Sequence, residues 1–214
     1  MGYALKILSL AEEARQALHP ATPGGNLRMG AMDATAASRL PPLLPRFRAL
    51  CPEVTLTLKT QPTRQLTQQV LDAALDCALV SLPQGTPPPD DRSTYPSLKN
   101  SCCWCFLPIH SAFALPPLRR AVPTGRWAKR FWRNQRRWRT RSGDVGSYHA
   151  MLACVASGGY AGIVPQSVLD TLTLPEASQL RPVGQAITQL IWRKGYASPA
   201  LEKMRQLLES ASDL

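Results

Sequence analysis

The sequence has no apolar stretch long enough to cross a membrane. The best candidate, MLACVASGGYAGIVP at residues 151–165, is interrupted by three glycines, whereas a membrane helix needs about 20 apolar residues in a row. The N-terminus carries Glu12 and Glu13 and lacks a cleavage pattern, so we expect no secretory signal peptide. We therefore expect a cytoplasmic protein with no membrane partner, whose six cysteines are reduced thiols.

The patterns of common enzyme sites are also missing. Three histidines are scattered at His19, His110 and His149, and no serine stands in a G-x-S-x-G setting. There is no G-x-G-x-x-G motif and no P-loop. Asp33 close to Thr35 could suggest a general base, but a loop aspartate followed by a helix-capping threonine explains the pair better. We expect a protein that is not an enzyme and that holds no cofactor.

A metal site has little support in the sequence. Cys102, Cys105 and His110 offer three possible ligands within the unusual run SCCWCFLPIH. A second ligand pair at zinc-finger spacing is missing, so we expect no bound metal.

Basic charge is concentrated in one segment. Residues 119–141 contain ten of the 25 lysines and arginines and no acidic residue, which leaves 15 basic against 14 acidic residues in the rest of the chain. Within this segment WAKRFWRNQRRWRTR interleaves aromatic rings with arginines, a pattern that suits base stacking and phosphate neutralisation. Nucleic-acid binding by residues 119–141 is one hypothesis, and a solvated basic surface is the simpler alternative.

The N-terminal residues 3–18 have the pattern of an amphipathic helix. Their apolar residues recur at alternating steps of three and four, which gives a narrow stripe suited to a helix–helix seam. Prolines and glycines at positions 20–25 end the helix and form a hinge. We expect residues 1–24 to be a linker and dimerisation segment, with a seam formed by Ala4, Ile7, Ala11, Ala14 and Leu18.

Alternating strands and helices follow the hinge. Strand patterns are present at residues 27–32, 52–60 and 77–82, with Val54, Leu56 and Leu58 expected to point inward. The intervening helices are predicted around Leu40–Phe47 and over residues 63–76. This order favours βαβ units with a parallel sheet. After residue 143 the pattern resumes with a helix capped by Ser147, a strand at 160–165, two strands in LRPVG and ITQLIW, and a helix at 198–210.

These segments carry a family resemblance. The run LRMGAMDATAASRLPPLLPRFRALCPEVTLTLKT, continued through LDCALV, resembles the start of the effector-binding domain of LysR-type transcriptional regulators. GSYHAMLACVASGG with IVPQSVL resembles the later helix and strand of that domain, and IWRKGYASPALEKMRQLL its last strand and helix. Residues 3–18 resemble the linker helix that joins this domain to a DNA-binding head.

The resemblance implies an α/β fold of two Rossmann-like lobes with two crossovers, similar to type II periplasmic binding proteins. Lobe I would comprise residues 25–83 and 167–214, and lobe II residues 84–166, with residues 95–143 departing from the family pattern. It also implies a small-molecule effector between the lobes and a homodimer or tetramer. We expect DNA binding only through a winged helix-turn-helix head, which this chain does not contain.

Polar residues follow the predicted strands at positions where ligands bind in open α/β sheets. Helix N-termini at these positions suit a small anion, and the resemblance implies that the same segments contact the effector. Thr35, Thr63 and Ser147 could instead be structural caps only. The candidate effector-binding residues are Met32, Asp33, Thr35, Thr60, Pro62, Thr63, Ser81, Gly146, Ser147 and Pro165, with Val80 beside Ser81 at a lobe crossover.

The segment from Leu98 to Arg141 has a further interpretation. Back-translated with GC-rich codons and read two bases later, its start becomes EEQLLLVLPAD, and WAKRFWRNQRRWRTR becomes GEALLAQPAALAHA. The shifted frame restores a strand and a helix where the family has them, so we hypothesise a frame-shifted segment. We expect the printed residues to form neither element, which would leave lobe II poorly folded.

The sequence is also compatible with two other functions. The chain could be a free-standing cytoplasmic binding protein that uses the same cleft, or it could bind nucleic acid directly through residues 119–141. An intact helix-turn-helix frame upstream of Met1 would favour the regulator.

Overall fold

The structure of this 214-residue chain is a computed structural model. It describes Ile7, Leu10, Ala11 and Arg15 individually, and it describes continuously residues 23–83, 92–106, 120–122, 141–142, 147–157, 160–174 and 178–212.

The chain forms two compact units. Unit 1 comprises Met1–Lys99 with Ile187–Leu214, and unit 2 comprises Asn100–Ala186. The divisions fall later in the chain than the expected lobe boundaries after residues 83 and 166. The reason is that two long strands, Arg92–Phe106 (β4) and Gln179–Arg193 (β8), each begin in one unit and end in the other.

Unit 1 is built on parallel strands, as the βαβ pattern predicts. Strand Gly25–Ala31 (β1) pairs in parallel with Val54–Thr60 (β2) on one side and with Cys77–Pro83 (β3) on the other. The strand order in this unit is β2-β1-β3-β8. Its helices are Asp33–Ser38 (α1), Leu43–Leu50 (α2), Thr63–Leu71 (α3) and Pro199–Ser212 (α6).

Strands β1 and β3 are packed on both faces, because alternate side chains point to opposite sides. One cluster joins Leu27 and Met29 of β1 to α2 and α6, and it includes Met204, Leu207 and Leu208. The other joins Ala78 and Val80 of β3 to Leu66 and Val70 of α3. The inward face of the last helix also includes the buried Ala200.

Gly30 in the LRMG motif has a packing role. A Cβ atom at this position would lie 2.5 Å from Leu66 Cδ2 and 2.8 Å from Leu75 Cδ1. A larger residue would therefore force the side chains of Leu66 on α3 and of Leu75 to move.

Strand β2 differs from its prediction at one end. Val54 and Leu56 are half-buried, but Leu58 is 38% exposed, so its expected burial is wrong. β2 is the last strand in the order of unit 1, and an edge strand has a neighbouring strand on one side only.

A partly buried ion pair joins the beginning of β3 to β1. Asp76 is 5% exposed and its Oδ2 accepts from the backbone N of Arg28 at 2.7 Å and from Arg28 Nε at 3.2 Å, while Oδ1 accepts from Nη2. The Asp76 amide donates back to the Arg28 carbonyl at 2.8 Å. The aspartate of the LDCALV segment is thus a structural residue.

Unit 2 contains β4 residues, Arg120–Val122 (β5), Arg141–Ser142 (β6) and Tyr160–Pro165 (β7), in the order β4-β7-β5-β6. Its helices are Tyr148–Ala156 (α4) and Gln166–Leu169 (α5). β7 runs antiparallel to β4, with Trp104 opposite Ile163, and parallel to β5.

The printed residues of the unusual segment therefore form a strand. Their expected failure to do so is wrong for Leu98–Phe106, because cysteine, tryptophan and phenylalanine suit a pleated sheet. The helix of the shifted frame falls outside the described residues.

The predicted N-terminal helix is described at four positions, all helical and exposed. Ile7 is 66% and Leu10 58% exposed. Ala4, Ala14 and Leu18 lie outside the described residues, so the seam stays a prediction. None of the described helices is both long and apolar enough to cross a membrane.

Candidate effector-binding site

The carboxyl ends of three strands meet at one edge of unit 1. They do so because β2 and β3 both run parallel to β1. Backbone hydrogen bonds continue past the strands: Met32 N donates to Leu79 O at 3.3 Å, and Gln61 N donates to Ala31 O at 3.2 Å. The residues that follow the three strands are therefore held close together.

A methionine sulfur lies at the centre of this edge. Thr63 Oγ1 lies 2.8 Å from Met32 Sδ, and the Ser81 amide donates to the same sulfur at 3.3 Å. Thr63 Oγ1 is also 3.4 Å from the Ser81 carbonyl oxygen. The structure thus brings together Met32, Thr63 and Ser81, three of the predicted site residues, one from each segment.

Helix α3 begins at this edge without a side-chain cap. Its N-cap position is Pro62, with φ −63° and ψ 149°, and this cap forms no side-chain hydrogen bond. The Pro62 carbonyl accepts from Gln65 N at 3.0 Å and Leu66 N at 3.1 Å. The amides of the first helical residues, Thr63 and Arg64, have no partner within an α-helix by construction, so positive partial charge is available here.

Helix α1 is less suited to an anion. It has six residues, its N-cap is Met32, and Asp33 in its first turn is exposed and places negative charge there. Thr35 is buried, at 2% exposure, inside the same helix. Neither Thr35 nor Thr63 caps a helix, so the structural alternative for these two residues is wrong.

Two other predicted site residues lie on the surface of unit 1. Thr60 and Pro62 are exposed, whereas Thr63 and Ser81 are half-buried and Val80 is buried.

In unit 2, Ser147 is the N-cap of α4, as predicted. Its Oγ accepts from Ala150 N at 3.2 Å. Met151 of α4 lies against Gly162 of β7. Pro165, at the end of β7, is half-buried. Gly146 lies outside the described residues.

The buried cysteines of unit 1 are poor candidates for chemistry. Burial raises the pKa of the Cys77 thiol far above its ordinary value, and the nearby Asp76 carboxylate raises it further. Burial also raises the pKa of Cys51. Both thiols stay protonated, whereas the thiolate is the reactive and metal-binding form. In the part of the chain that the structure describes, no three metal-binding side chains cluster; the side chains of Cys102, Cys105 and His110 are not among those described.

Sequence reasoning missed the Met32 sulfur contact. Met32 was expected at the site, but its pairing with Thr63 and Ser81 depends on the register of three strands. No local pattern in the sequence reports that register.

Comparisons with known proteins agree with this architecture. The family model "LysR substrate binding domain" matches residues 20–213. The HTH-type transcriptional regulator GltR of Bacillus subtilis is 45% identical over 84 residues, which cover 39% of this chain and 28% of GltR. The uncharacterized HTH-type transcriptional regulator YusT of the same organism is 27% identical over 205 residues, which cover 89% of this chain and 66% of YusT.

Solved structures show the same fold. A full-length OxyR variant from Pseudomonas aeruginosa has a TM-score of 0.72 at 19% identity, over 97% of this chain and 75% of that one. CbnR, a LysR family transcriptional regulator, has a TM-score of 0.64 at 17% identity, over 96% of this chain and 77% of CbnR. This chain spans less than two thirds of GltR and YusT. It belongs to the LysR substrate-binding domain family and is an effector-sensing regulatory domain of the LysR type.

Proposed function

We propose that this domain binds a small anionic metabolite at the carboxyl edge of the unit 1 strands. The observation that carries the proposal is the uncapped start of α3, a nine-residue helix that begins beside Thr63 and Ser81. Unsatisfied amides and the positive end of a helix dipole attract carboxylate, phosphate or sulfate groups. A Vibrio vulnificus OxyR2 variant, similar in fold, has a regulatory-domain structure described as sulfate-bound.

The proposed output of binding is a change in the geometry of an oligomer that holds DNA through a separate head. The relatives named above are HTH-type regulators, which supports this assignment. Ile7 and Leu10, exposed on a helical segment, supply apolar surface of the kind that paired helices bury. An effector that prefers one arrangement would shift the population toward it. The role is one of binding, without catalysis, in the cytoplasm.

A ligand screen tests the proposal. Small carboxylates, phosphates and sulfate are added singly, stabilisation against heat identifies binders, and calorimetry gives their affinities. We expect Thr63→Val to weaken binding by about 10- to 100-fold, since a hydrogen bond to a charged group contributes about 1.5–3 kcal/mol. Thr57→Val is the matched control, because the hydroxyl of the half-buried Thr57 on β2 donates to Asn26 Oδ1 at 3.1 Å. Equal affinities of Thr63→Val and wild type would contradict the proposed site.

Ser147 and Pro165 of unit 2 stay predicted effector contacts. If Ser147 serves only as a helix cap, Ser147→Ala will lower stability and leave affinity unchanged. A loss of affinity beyond the loss of stability would support a contact.

A second candidate function rests on the basic segment 119–141, which contains ten basic and no acidic residues. Direct nucleic-acid binding there predicts a steep salt dependence that disappears when Arg130, Arg133 and Arg137 are neutralised.

A further inference from the structure

We propose that Met32 is a specificity-determining residue of the effector site, whose sulfur holds the place of an effector oxygen until the effector displaces it. This inference rests on the proposed function, because it assumes that an anion binds at the start of α3.

Two hydrogen-bond donors meet at the sulfur of Met32. A threonine hydroxyl at 2.8 Å and a backbone amide at 3.3 Å converge on Met32 Sδ. A thioether is a weak acceptor. Two donors that converge on a weak acceptor form a site that an anionic oxygen would fill better, since charge-assisted hydrogen bonds are about twice as strong as neutral ones.

Met32, Thr63 and Ser81 come from three different segments of unit 1. Thr63 is the first residue of uncapped α3, Ser81 lies near the end of β3, and Met32 directly follows β1. An oxygen that took the place of the sulfur would therefore meet the Thr63 hydroxyl and the Ser81 amide at the start of α3. No other described side chain accepts a hydrogen bond from both Thr63 and Ser81.

Displacement of the Met32 side chain would change packing contacts within unit 1. Met32 is half-buried, packs against the cluster of Leu66, Val70 and Ile191, and serves as the N-cap of α1. Methionine is unbranched and changes rotamer easily. When its side chain leaves the sulfur position, its packing against Leu66 and Val70 of α3 changes. The same residue thereby couples occupancy of the site to α3.

Two variants test the role of the sulfur. Met32→Leu keeps the volume and removes the acceptor, and Met32→Ala removes the side chain. Met29→Leu is the matched control, since Met29 lies two residues before the end of the same strand, fully buried in the other cluster. Sulfate is the probe, and calorimetry measures its affinity.

We expect Met32→Leu and Met32→Ala to bind sulfate about three- to tenfold more tightly than wild type, because no internal acceptor competes for the donors. Met29→Leu should bind as wild type does. A residue that only supports the site would give weaker binding when changed, so the direction of the effect separates the two roles.

Methyl-labelled methionine supplies a second measurement by NMR. The Met32 signal, assigned by its loss in Met32→Leu, should shift in ligand-free Thr63→Val but not in Thr57→Val. In wild type it should move saturably with sulfate, while the Met29 signal stays in place.

The outcomes distinguish this inference from the proposed function. Sulfate binding with an unmoved Met32 signal, or with affinity lowered in Met32→Leu, overturns the inference and leaves the anion site standing. Absence of sulfate binding in wild type and both Met32 variants overturns the sulfate-competent anion site and the inference together. Binding detected only in the Met32 variants supports the inference, with the sulfur as a strong competitor.

Discussion

The two units of the molecule arrange their strand ends differently. In unit 1, β1, β2 and β3 are parallel, so all three carboxyl ends lie at one edge. In unit 2, β6, β5 and β7 are also parallel, but β7 has an antiparallel neighbour, β4, and Phe106 at the end of β4 lies opposite Ala161 near the beginning of β7. Strand β4 therefore ends at the edge of the sheet opposite to the edge where β7 ends. The comparison teaches that strand direction, more than residue type, determines where a site can assemble.

The units also differ in how their helices meet their strands. In unit 1, Gly30 lies beneath two leucines, Leu66 and Leu75, whereas in unit 2 Gly162 lies beneath the flexible side chain of Met151. Unit 1 further contains the partly buried Arg28–Asp76 pair. We therefore expect stability to depend more on single residues in unit 1.

The largest expected effect is at Asp76. Asp76→Ala should lower the free energy of unfolding by about 3–5 kcal/mol, because it leaves Arg28 without its carboxylate in a partly buried site. Urea unfolding measures the change. Asp72→Ala is the control: Asp72 is exposed and accepts from Gln68 Nε2 at 3.1 Å. A loss below about 1 kcal/mol for Asp76→Ala would place this pair with surface ion pairs.

The two glycines give a direct contrast between the units. Gly30→Ala should cost about 1–3 kcal/mol, as overpacking does, because the added methyl group meets packed Leu66 and Leu75. Gly162→Ala should cost less, because Met151 can change rotamer. Thermal unfolding of both variants checks the order. The reverse order would show that the core of unit 1 is the more adaptable one.

The buried thiol of Cys77 in unit 1 makes the free energy of unfolding depend on pH. Its pKa is raised in the folded state above the ordinary value of 9.0, so the unfolded chain loses the proton first. The contribution of the protonated Cys77 thiol to the free energy of unfolding is fully present below about pH 9. It falls by about 1.4 kcal/mol per pH unit as the pH rises above that value. Unfolding free energies between pH 8 and 11 should fall less steeply for Cys77→Ala. Parallel curves for the two proteins would be evidence against burial of the thiol.

The smallest expected effect is in unit 2. Ser147→Ala should cost about 1 kcal/mol through loss of the α4 cap. Ser157→Ala, at the exposed end of the same helix, changes a hydroxyl that donates to the Cys154 carbonyl and should be nearly neutral. Urea unfolding of the pair compares the two ends of α4, and equal losses would remove the special role of Ser147.

Much of the fold of unit 1 could be predicted from the sequence, because period-two and helical patterns report burial directly. β1, β2, β3 and the last helix lie within a few residues of their predicted positions. β8 was predicted as two strands, LRPVG and ITQLIW, yet Gln179–Arg193 is continuous. Such a strand is determined by its neighbours, which the local sequence does not report.

The site was predictable in outline only. Residues that follow strands could be named, but the hydroxyl partners of Thr63 could not, because Pro62 takes the cap position and the register brings Met32 to the hydroxyl. Ser147 was identified correctly because capping is a local property.

The frame-shift hypothesis for Leu98–Arg141 stays a prediction. It requires an insertion or deletion near codon 98 and a compensating one before codon 144, and sequencing of the gene would detect both. A gene that encodes the printed residues without either change would refute it, and unit 2 would then owe its strand β4 to a segment unlike the family pattern.

The central claim is that an anion binds where the parallel strands of unit 1 end. The most direct measurement is a titration of the nitrogen-15-labelled chain with sulfate and with succinate, followed through the backbone amide signals. We predict that the largest saturable shifts occur at the amides of Thr63, Arg64 and Ser81. Saturable shifts confined to residues 119–141, with those three amides unmoved, would contradict the claim.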